Sequence, residues 1–400
     1  MGSQIFPLSY WLGPPLTTEG IQEAAQCGFT VLPLVAASEA EMRSGLDLVQ
    51  QAGAKALIVD GRIHAALPRQ ANWQNVAAAV VHAYRDHPAV MGYLLADEPH
   101  LRDFANLRSL VEVFQQLDPE RLPFINLFPN YASAEQLGAP SYEAYVAAYL
   151  EQVRPPVLSY DHYALLEWGD RPEYFENLAI IRRQALRSGR PFWNVILSTP
   201  HFNYRDPSAA DLRWQVYTTL AYGGQGLVYF TYWTPDVENY RSGIIGLYGQ
   251  RTPKYAVVQQ LNWEVQRLSR HLLSLTSTRV GHWPAAPQGA AFLDGAGLVT
   301  AIEGGEFVVG EFTEAGSPGM ANAWLMVVNC DREHAAWTTL RLAAVDATLE
   351  EVARSTGELR PIARDQGVAA VERQAAGLVV RFWLAPADGR LLRIRSIVPK

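Results

Sequence analysis

The sequence predicts an α/β protein: a (β/α)8 barrel over residues 1–276, followed by a small antiparallel β-sandwich over residues 277–400. Three observations predict it. As far as about Leu275, short apolar runs ending in polar or aromatic residues alternate with helical stretches, the pattern of βα units on a parallel sheet. Eight such units fit into about 270 residues, the ordinary size of a closed barrel. Beyond Ser277 helical periodicity gives way to short alternating runs separated by Gly, Pro and Asp, as in antiparallel sheets.

The first strand is expected at Phe6–Trp11, with Thr17 capping the helix behind it. No signal peptide is read ahead of that strand, which leaves location open. The turn after it, Gly13-Pro14-Pro15, lacks the N–H groups that cradle a phosphate, which argues against a doubly wound nucleotide-binding sheet. The second strand is Phe29–Val35, and Ser38 with Glu41 forms a capping box for its helix. The third, Ala56–Asp60, precedes a helix from Trp73 to Asp86. The fourth, Val90–Ala96, is almost wholly apolar, as for a strand buried on both faces.

The fifth strand is Pro123–Phe128, ending at Asn130-Tyr131, and the sixth is Val157–Tyr160, delivering Asp161-His162-Tyr163. The seventh is Phe192–Leu197, ending in Ser198-Thr199-Pro200-His201. Its helix stops at Gly223-Gly224, and the eighth strand, Leu227–Tyr232, leads into Trp233. Five sandwich strands are legible: Glu306–Phe312, Trp324–Asn329, Thr338–Leu342, Leu378–Leu384 and Leu391–Ile397. No low-complexity linker separates the two parts.

Composition narrows the function. The 400 residues are 49% apolar and 18% charged, which fits a folded globular protein. The net charge of -7 and the lack of a basic cluster argue against a nucleic-acid partner. No apolar run reaches membrane-spanning length. Cys27 and Cys330 are expected to be separate free thiols. The 11 Trp and 18 Tyr fit a protein that stacks flat rings such as sugars.

In a barrel, chemistry gathers at the C-terminal strand ends. Asp97 and Glu98 follow the apolar fourth strand, and Pro99 ends it. Two adjacent acids there fit a proton-transferring site better than a core, although one acid alone would serve as a helix cap. Glu98 is the candidate acid, with Asp97 raising its pKa. Asp161 is the candidate second carboxylate, two strands away, a separation that would admit a water. The remaining strand ends supply candidate sugar contacts: Tyr10, Trp11, Asp60, Asp97, Asn130, His162, Tyr163, His201, Tyr232 and Trp233. For Asp60 an ordinary Asp-Gly turn competes, and for the histidines a structural role. The metal-ligand spacings of His and Cys are absent, as is a Ser-hydrolase elbow, so neither metal nor cofactor is expected.

The run Gly92-Tyr93-Leu94-Leu95-Ala96-Asp97-Glu98-Pro99 resembles the fourth-strand motif of the large clan of barrel glycoside hydrolases that includes bacterial β-galactosidases and β-glucanases. There the strand ends Asn-Glu-Pro, and the Glu is the acid/base. Tyr229-Phe230-Thr231-Tyr232-Trp233-Thr234-Pro235 is similar to the clan's eighth strand with its sugar-stacking Trp. Trp324-Leu325-Met326-Val327-Val328-Asn329 resembles a strand of the β-sandwich found behind such barrels. The whole chain resembles uncharacterised bacterial barrel-plus-sandwich members. The resemblance implies glycosidase activity on a β-linked carbohydrate, with Glu98 as acid/base.

Two departures stand out. Asp97 replaces the clan's Asn, and an ionised Asp only accepts hydrogen bonds. The seventh strand ends without the clan's nucleophilic Glu, which leaves Asp161, or behind it Glu167, Asp236 or Glu238, to serve. A barrel that binds carbohydrate without cleaving it is the alternative. A sugar-acid lyase or isomerase is a weaker third reading, since no strand end supplies a Lys base.

Overall fold

The computed structural model describes residues 5–314, 322–343, 347–362, 369–375 and 377–396. By its contacts the chain divides into two compact units. One comprises Met1–Asp206 with Gly226–Asn262, the other Pro207–Gln225 with Trp263–Lys400.

The first unit carries eight parallel strands: β1 (Leu8–Tyr10), β2 (Val31–Val35), β3 (Lys55–Val59), β4 (Val90–Asp97), β5 (Leu122–Leu127), β6 (Leu158–Asp161), β7 (Phe192–Leu197) and β8 (Leu227–Phe230). Their order, β1-β8-β7-β6-β5-β4-β3-β2, is that of a barrel laid open between β1 and β2. Helices alternate with them: α1 (Thr18–Gln26), α2 (Glu39–Gln51), α3 (Trp73–Tyr84), α4 (Phe104–Leu117), α5 (Tyr142–Gln152) and α6 (Tyr174–Ser188). Helix α7 (Ala209–Ala221) falls in the second unit, and α8 (Pro253–Leu272) is divided at Asn262.

Local chemistry sets the helix starts. The Thr17 hydroxyl accepts the Gly20 N–H at 3.1 Å, as expected for a cap. Ser38 accepts the Glu41 N–H at 3.2 Å, but the Glu41 carboxylate takes the Ala37 N–H at 2.7 Å instead of Ser38's. The expected capping box is therefore shifted by one residue. Ser141 caps α5 through the Ala144 N–H at 3.2 Å.

Strand alternation fills the barrel interior. Val31, Leu57, Phe124, Val157, Trp193, Val195 and Val228 form one buried cluster, with Trp11, Leu94, Tyr163 and Phe230 packed at its edge. These residues recur at even spacing along β5 through β8, as a period of two requires. Gly226 lies where Trp193 crosses the strand, since a Cβ there would stand 2.5 Å from the indole.

The seam between β1 and β2 is closed mainly by one side chain. The Thr30 N–H donates to the Leu8 carbonyl at 2.9 Å. The Thr30 hydroxyl accepts the Leu8 N–H at 2.9 Å and donates to the Phe6 carbonyl at 2.8 Å. A single Thr thus does the work of a ladder rung.

Among the described residues the second unit contains ten antiparallel strands: β9 (Leu275–Trp283), β10 (Val299–Glu303), β11 (Phe307–Glu314), β12 (Asn322–Asn329), β13 (Ala336–Leu342), β14 (Ala347–Val352), β15 (Leu359–Pro361), β16 (Ala369–Gln374), β17 (Gly377–Leu384) and β18 (Gly389–Ser396). They form a six-stranded sheet, β9-β11-β12-β18-β14-β15, and a four-stranded sheet, β10-β13-β17-β16. Alternate residues of both sheets meet in one core, among them Val309, Leu325, Val327, Leu340, Val380 and Leu392. All five expected strands are present within two or three residues, except that Ile397 lies outside the described residues. Cys27 and Cys330 are free. Among the described residues no helix is long and apolar enough to cross a membrane.

Replacing Thr30 by Val keeps the shape but removes the hydroxyl, leaving the Leu8 N–H and Phe6 carbonyl without it. The expected cost is about 2 kcal/mol, read as a lowered urea midpoint with an unchanged m-value.

Candidate active site

Parity decides which side chains face the barrel mouth. Phe124 lies in the interior cluster, so Asn126, two residues on, also points inward. Val157 is interior, and so are Ser159 and Asp161. On β4 the count would fail without an irregularity. Leu94 packs on the interior cluster, and Asp97 lies an odd number of residues later. The register shift between Leu94 and Ala96 supplies the missing step and turns Asp97 toward Asn126. Bulges of this kind re-aim side chains beside functional sites.

One carboxamide links the three central strands. Asn126 Nδ2 donates to Asp97 Oδ1 at 3.1 Å and to Asp161 Oδ1 at 3.2 Å. Its orientation is fixed because Asn126 Oδ1 accepts the Ser159 hydroxyl at 2.9 Å. Glu98 stands beside this pair, with its side chain hydrogen-bonding to Asp161. The Glu98 N–H donates to the Asn126 carbonyl at 2.9 Å. Tyr145 of α5 fixes the following residue by donating its hydroxyl to the Pro99 carbonyl at 2.6 Å.

Glu98 adopts φ 44°, in the left-handed region. A side chain with a Cβ pays roughly 1 kcal/mol there. Such strain is held only where surrounding contacts fix it, and it concentrates at functional sites.

The electrostatics follow from crowding. Partial burial, then the charge of Asp97, push the Glu98 carboxyl up to about 7, against its hydrogen bond with Asp161. Asp161 is almost completely buried. Burial first, then the charges of Glu98 and Asp97, raise its carboxyl well above the usual range, against the Asn126 hydrogen bond. Asp97 meets water at the mouth, yet the surrounding walls strip enough hydration to raise it as well, again opposed by Asn126. Carboxyls this close titrate as a coupled set, and near neutral pH the Glu98–Asp161 pair retains a proton.

Other candidates fall into three places. Trp11, Tyr163 and Phe230 line the interior near the mouth. His201 is buried, its Nδ1 donating to the Thr199 carbonyl at 2.8 Å, and its ring stacks on Tyr240 at 4.7 Å. Burial lowers the His201 pKa and keeps the ring neutral. Trp233 is half-buried beyond β8, its backbone N–H donating to the Leu12 carbonyl.

Tyr10 and Tyr232, expected at the mouth, lie elsewhere. Val228 faces inward, so Tyr229 and its partner Tyr10 face outward. Tyr10 stacks on Tyr232 at 4.9 Å and meets Phe29 edge-on, and neither tyrosine touches solvent. They pack the barrel's outer layer. His162 is likewise fully buried, and burial drives its pKa down to about 3. Its Nδ1 donates to Asn177 Oδ1 at 3.0 Å, the same oxygen that accepts the Asn130 N–H at 2.8 Å. Asn130 also donates to the Glu173 carbonyl at 3.1 Å. Both residues anchor the loops after β5 and β6 to α6.

Asp60 accepts the Arg62 backbone N–H at 3.0 Å and pairs with its guanidinium at 2.6 Å. Burial alone would raise its pKa, but the Arg62 hydrogen bonds bring it below the usual range. It sits in the turn that Asp-Gly allows, held there by Arg62. Glu167, Asp236 and Glu238 are solvent-exposed loop residues. The hydroxyls of Ser198 and Thr199, at the end of β7, both donate to the Thr231 carbonyl. Among the described residues no group of three or more His, Cys, Asp or Glu is arranged to hold a metal ion.

Asn126 and Ser159 escaped the sequence reading. Their signal was a lone polar residue inside each apolar strand, Phe-Ile-Asn-Leu-Phe and Val-Leu-Ser-Tyr.

No protein-family model matches the sequence. No match is found among curated proteins either. Solved structures do match. One described as a glycoside hydrolase superposes with a TM-score of 0.60 at 12% identity, covering 100% of this chain and 94% of that one. The β-galactosidase of the psychrophilic Marinomonas ef1 superposes with a TM-score of 0.54 at 11% identity, covering 67% of this chain and 62% of that one. The chain therefore spans less than two thirds of that galactosidase. At these identities the likeness establishes the fold, a (β/α)8 barrel followed by antiparallel β-sheets.

A raised carboxyl pKa means that the folded protein binds its proton more tightly than the unfolded chain. Stability therefore falls as pH climbs from the ordinary Glu value of 4.5 through about 7. Glu98→Gln removes this penalty. Its thermal midpoint is expected to exceed wild type above pH 7 and to converge with it near pH 4.5 in paired calorimetric scans.

Proposed function

We propose that this protein is a glycoside hydrolase acting on a β-linked oligo- or polysaccharide, with Glu98 as the acid and Asp161 as the second carboxylate. What carries this reading is a pair of crowded carboxyls, Glu98 and Asp161, at the barrel strand ends that together retain a proton near neutral pH, with Glu98 on strained backbone. The descriptions of the matched structures, a glycoside hydrolase and a β-galactosidase, support it.

In this mechanism Glu98 gives its proton to the glycosidic oxygen as the bond to the anomeric carbon breaks. Asp161, left as the carboxylate of the pair, attacks that carbon. Water then cleaves the glycosyl ester, with Glu98 taking its proton. Direct attack is preferred because the two carboxyls lie close enough to shift each other's protonation, whereas pairs that activate an intervening water stand farther apart. The water-wide spacing read from the sequence is the less favoured geometry. Asn126 holds Asp161 toward the pair while offering Glu98 no donor.

A second reading, carbohydrate binding without turnover, has its own support. The end of β7 holds no carboxylate, and its hydroxyls are committed to Thr231.

A screen of aryl β-glycosides and polysaccharides distinguishes the two. Hydrolysis by wild type that drops about a thousand-fold in Glu98→Gln supports the enzyme. Saturable binding with no new reducing ends supports the binding barrel. The enzyme's kcat/KM is expected to fall on the alkaline side of about pH 7, where Glu98 loses its proton. Asp97→Asn removes a charge that raises Glu98, so that alkaline limb should move to lower pH.

A further inference from the structure

The carboxylates occupy only one side of the mouth. From Tyr163, two residues beyond Asp161, aromatic rings run outward without a break. Tyr163 meets His201 edge-on at 5.8 Å, His201 stacks on Tyr240 at 4.7 Å, and Tyr240 meets Phe202 at 5.9 Å. The run goes from half-buried Tyr163 to Phe202, which is 54% exposed.

Phe202 is held in this position at a cost. Its φ is 45°, a left-handed conformation rare for a bulky residue. Asn239 clamps it from both sides, its Oδ1 accepting the Phe202 N–H at 2.6 Å and its Nδ2 donating to the Phe202 carbonyl at 2.8 Å. Beside this loop stands a hairpin, Leu165–Leu166 paired with Gly169–Asp170. The Glu167 N–H bonds to the Asn203 carbonyl, and Leu166 bridges Tyr204. The hairpin tip carries Trp168, 71% exposed.

About half of this phenyl ring faces water although its backbone is strained. It is continuous through ring contacts with the carboxylate site, and aromatic faces complement the apolar faces of sugar rings. We infer that the loops after β6, β7 and β8 form a row of aromatic subsites that takes a linear chain of sugar units. The ligand of this site is then a polysaccharide or long oligosaccharide, not a simple glycoside. This inference rests on the reading of the site as a carbohydrate site, but not on turnover there.

Titration calorimetry tests it with the Glu98→Gln protein and linear β-1,4-linked gluco- and manno-oligosaccharides, from disaccharide to hexasaccharide. Affinity for at least one series is expected to climb with each added unit. Phe202→Gly relieves the backbone strain, so its fold is secure. It should lower the ratio of hexasaccharide to disaccharide affinity by about ten-fold, and Trp168→Ala should do the same. Equal affinity for short and long members, no binding by either series, or ratios unmoved in both variants would overturn the inference. Length-dependent binding without any cleavage by wild type would leave the subsite row standing and remove only the hydrolase reading.

Discussion

The candidate site depends on one amide. Asp97, Glu98 and Asp161 converge where water is scarce, and three carboxyls so placed repel one another unless protons or donors intervene. Asn126 supplies the donor. A single NH2 group serves two of the acids, and the Ser159 hydroxyl keeps it from turning its oxygen toward them. The third acid, Glu98, receives no such donor, and the Glu98–Asp161 pair keeps a proton to higher pH than free carboxyls would. An Asp-Glu pair, in place of the Asn-Glu that the sequence motif resembles, becomes tolerable because the next strand carries the missing amide.

Backbone geometry reinforces that chemistry. The irregular step between Leu94 and Ala96 turns Asp97 inward, and the left-handed turn at Glu98 directs the next side chain. Tyr145 and the Asn126 carbonyl hold the chain on either side. Conformations that cost energy locally are maintained by an otherwise regular barrel, as expected where function opposes stability.

Much of this was legible in the sequence, and the failures have physical causes. The eight βα units and five sandwich strands stood out because periodicity and turn residues survive without tertiary information. The Asp97-Glu98 pair stood out because acids after an apolar strand have few structural uses. Which face a strand-end residue occupies was not legible. Tyr10 and Trp11 are adjacent, and only the pairing of β1 with β8 shows that one packs outside and the other inside. The bulge in β4 has no residue signature, so the inward turn of Asp97 could not be counted out. Asn126 and Ser159 looked like tolerated polar residues because their value lies in contacts across strands. The grouping of α7 with the C-terminal sheets is likewise a matter of tertiary contacts, which no local pattern encodes.

The β1–β2 seam bears on how the barrel moves. A sheet rolled until its margins meet, and fastened there by a threonine side chain, loosens most readily along that line. The three acid-bearing and amide-bearing strands occupy the centre of the same sheet, with two strands shielding them on one flank and three on the other. An opening along that line would leave intact the paired strands between it and the three acids.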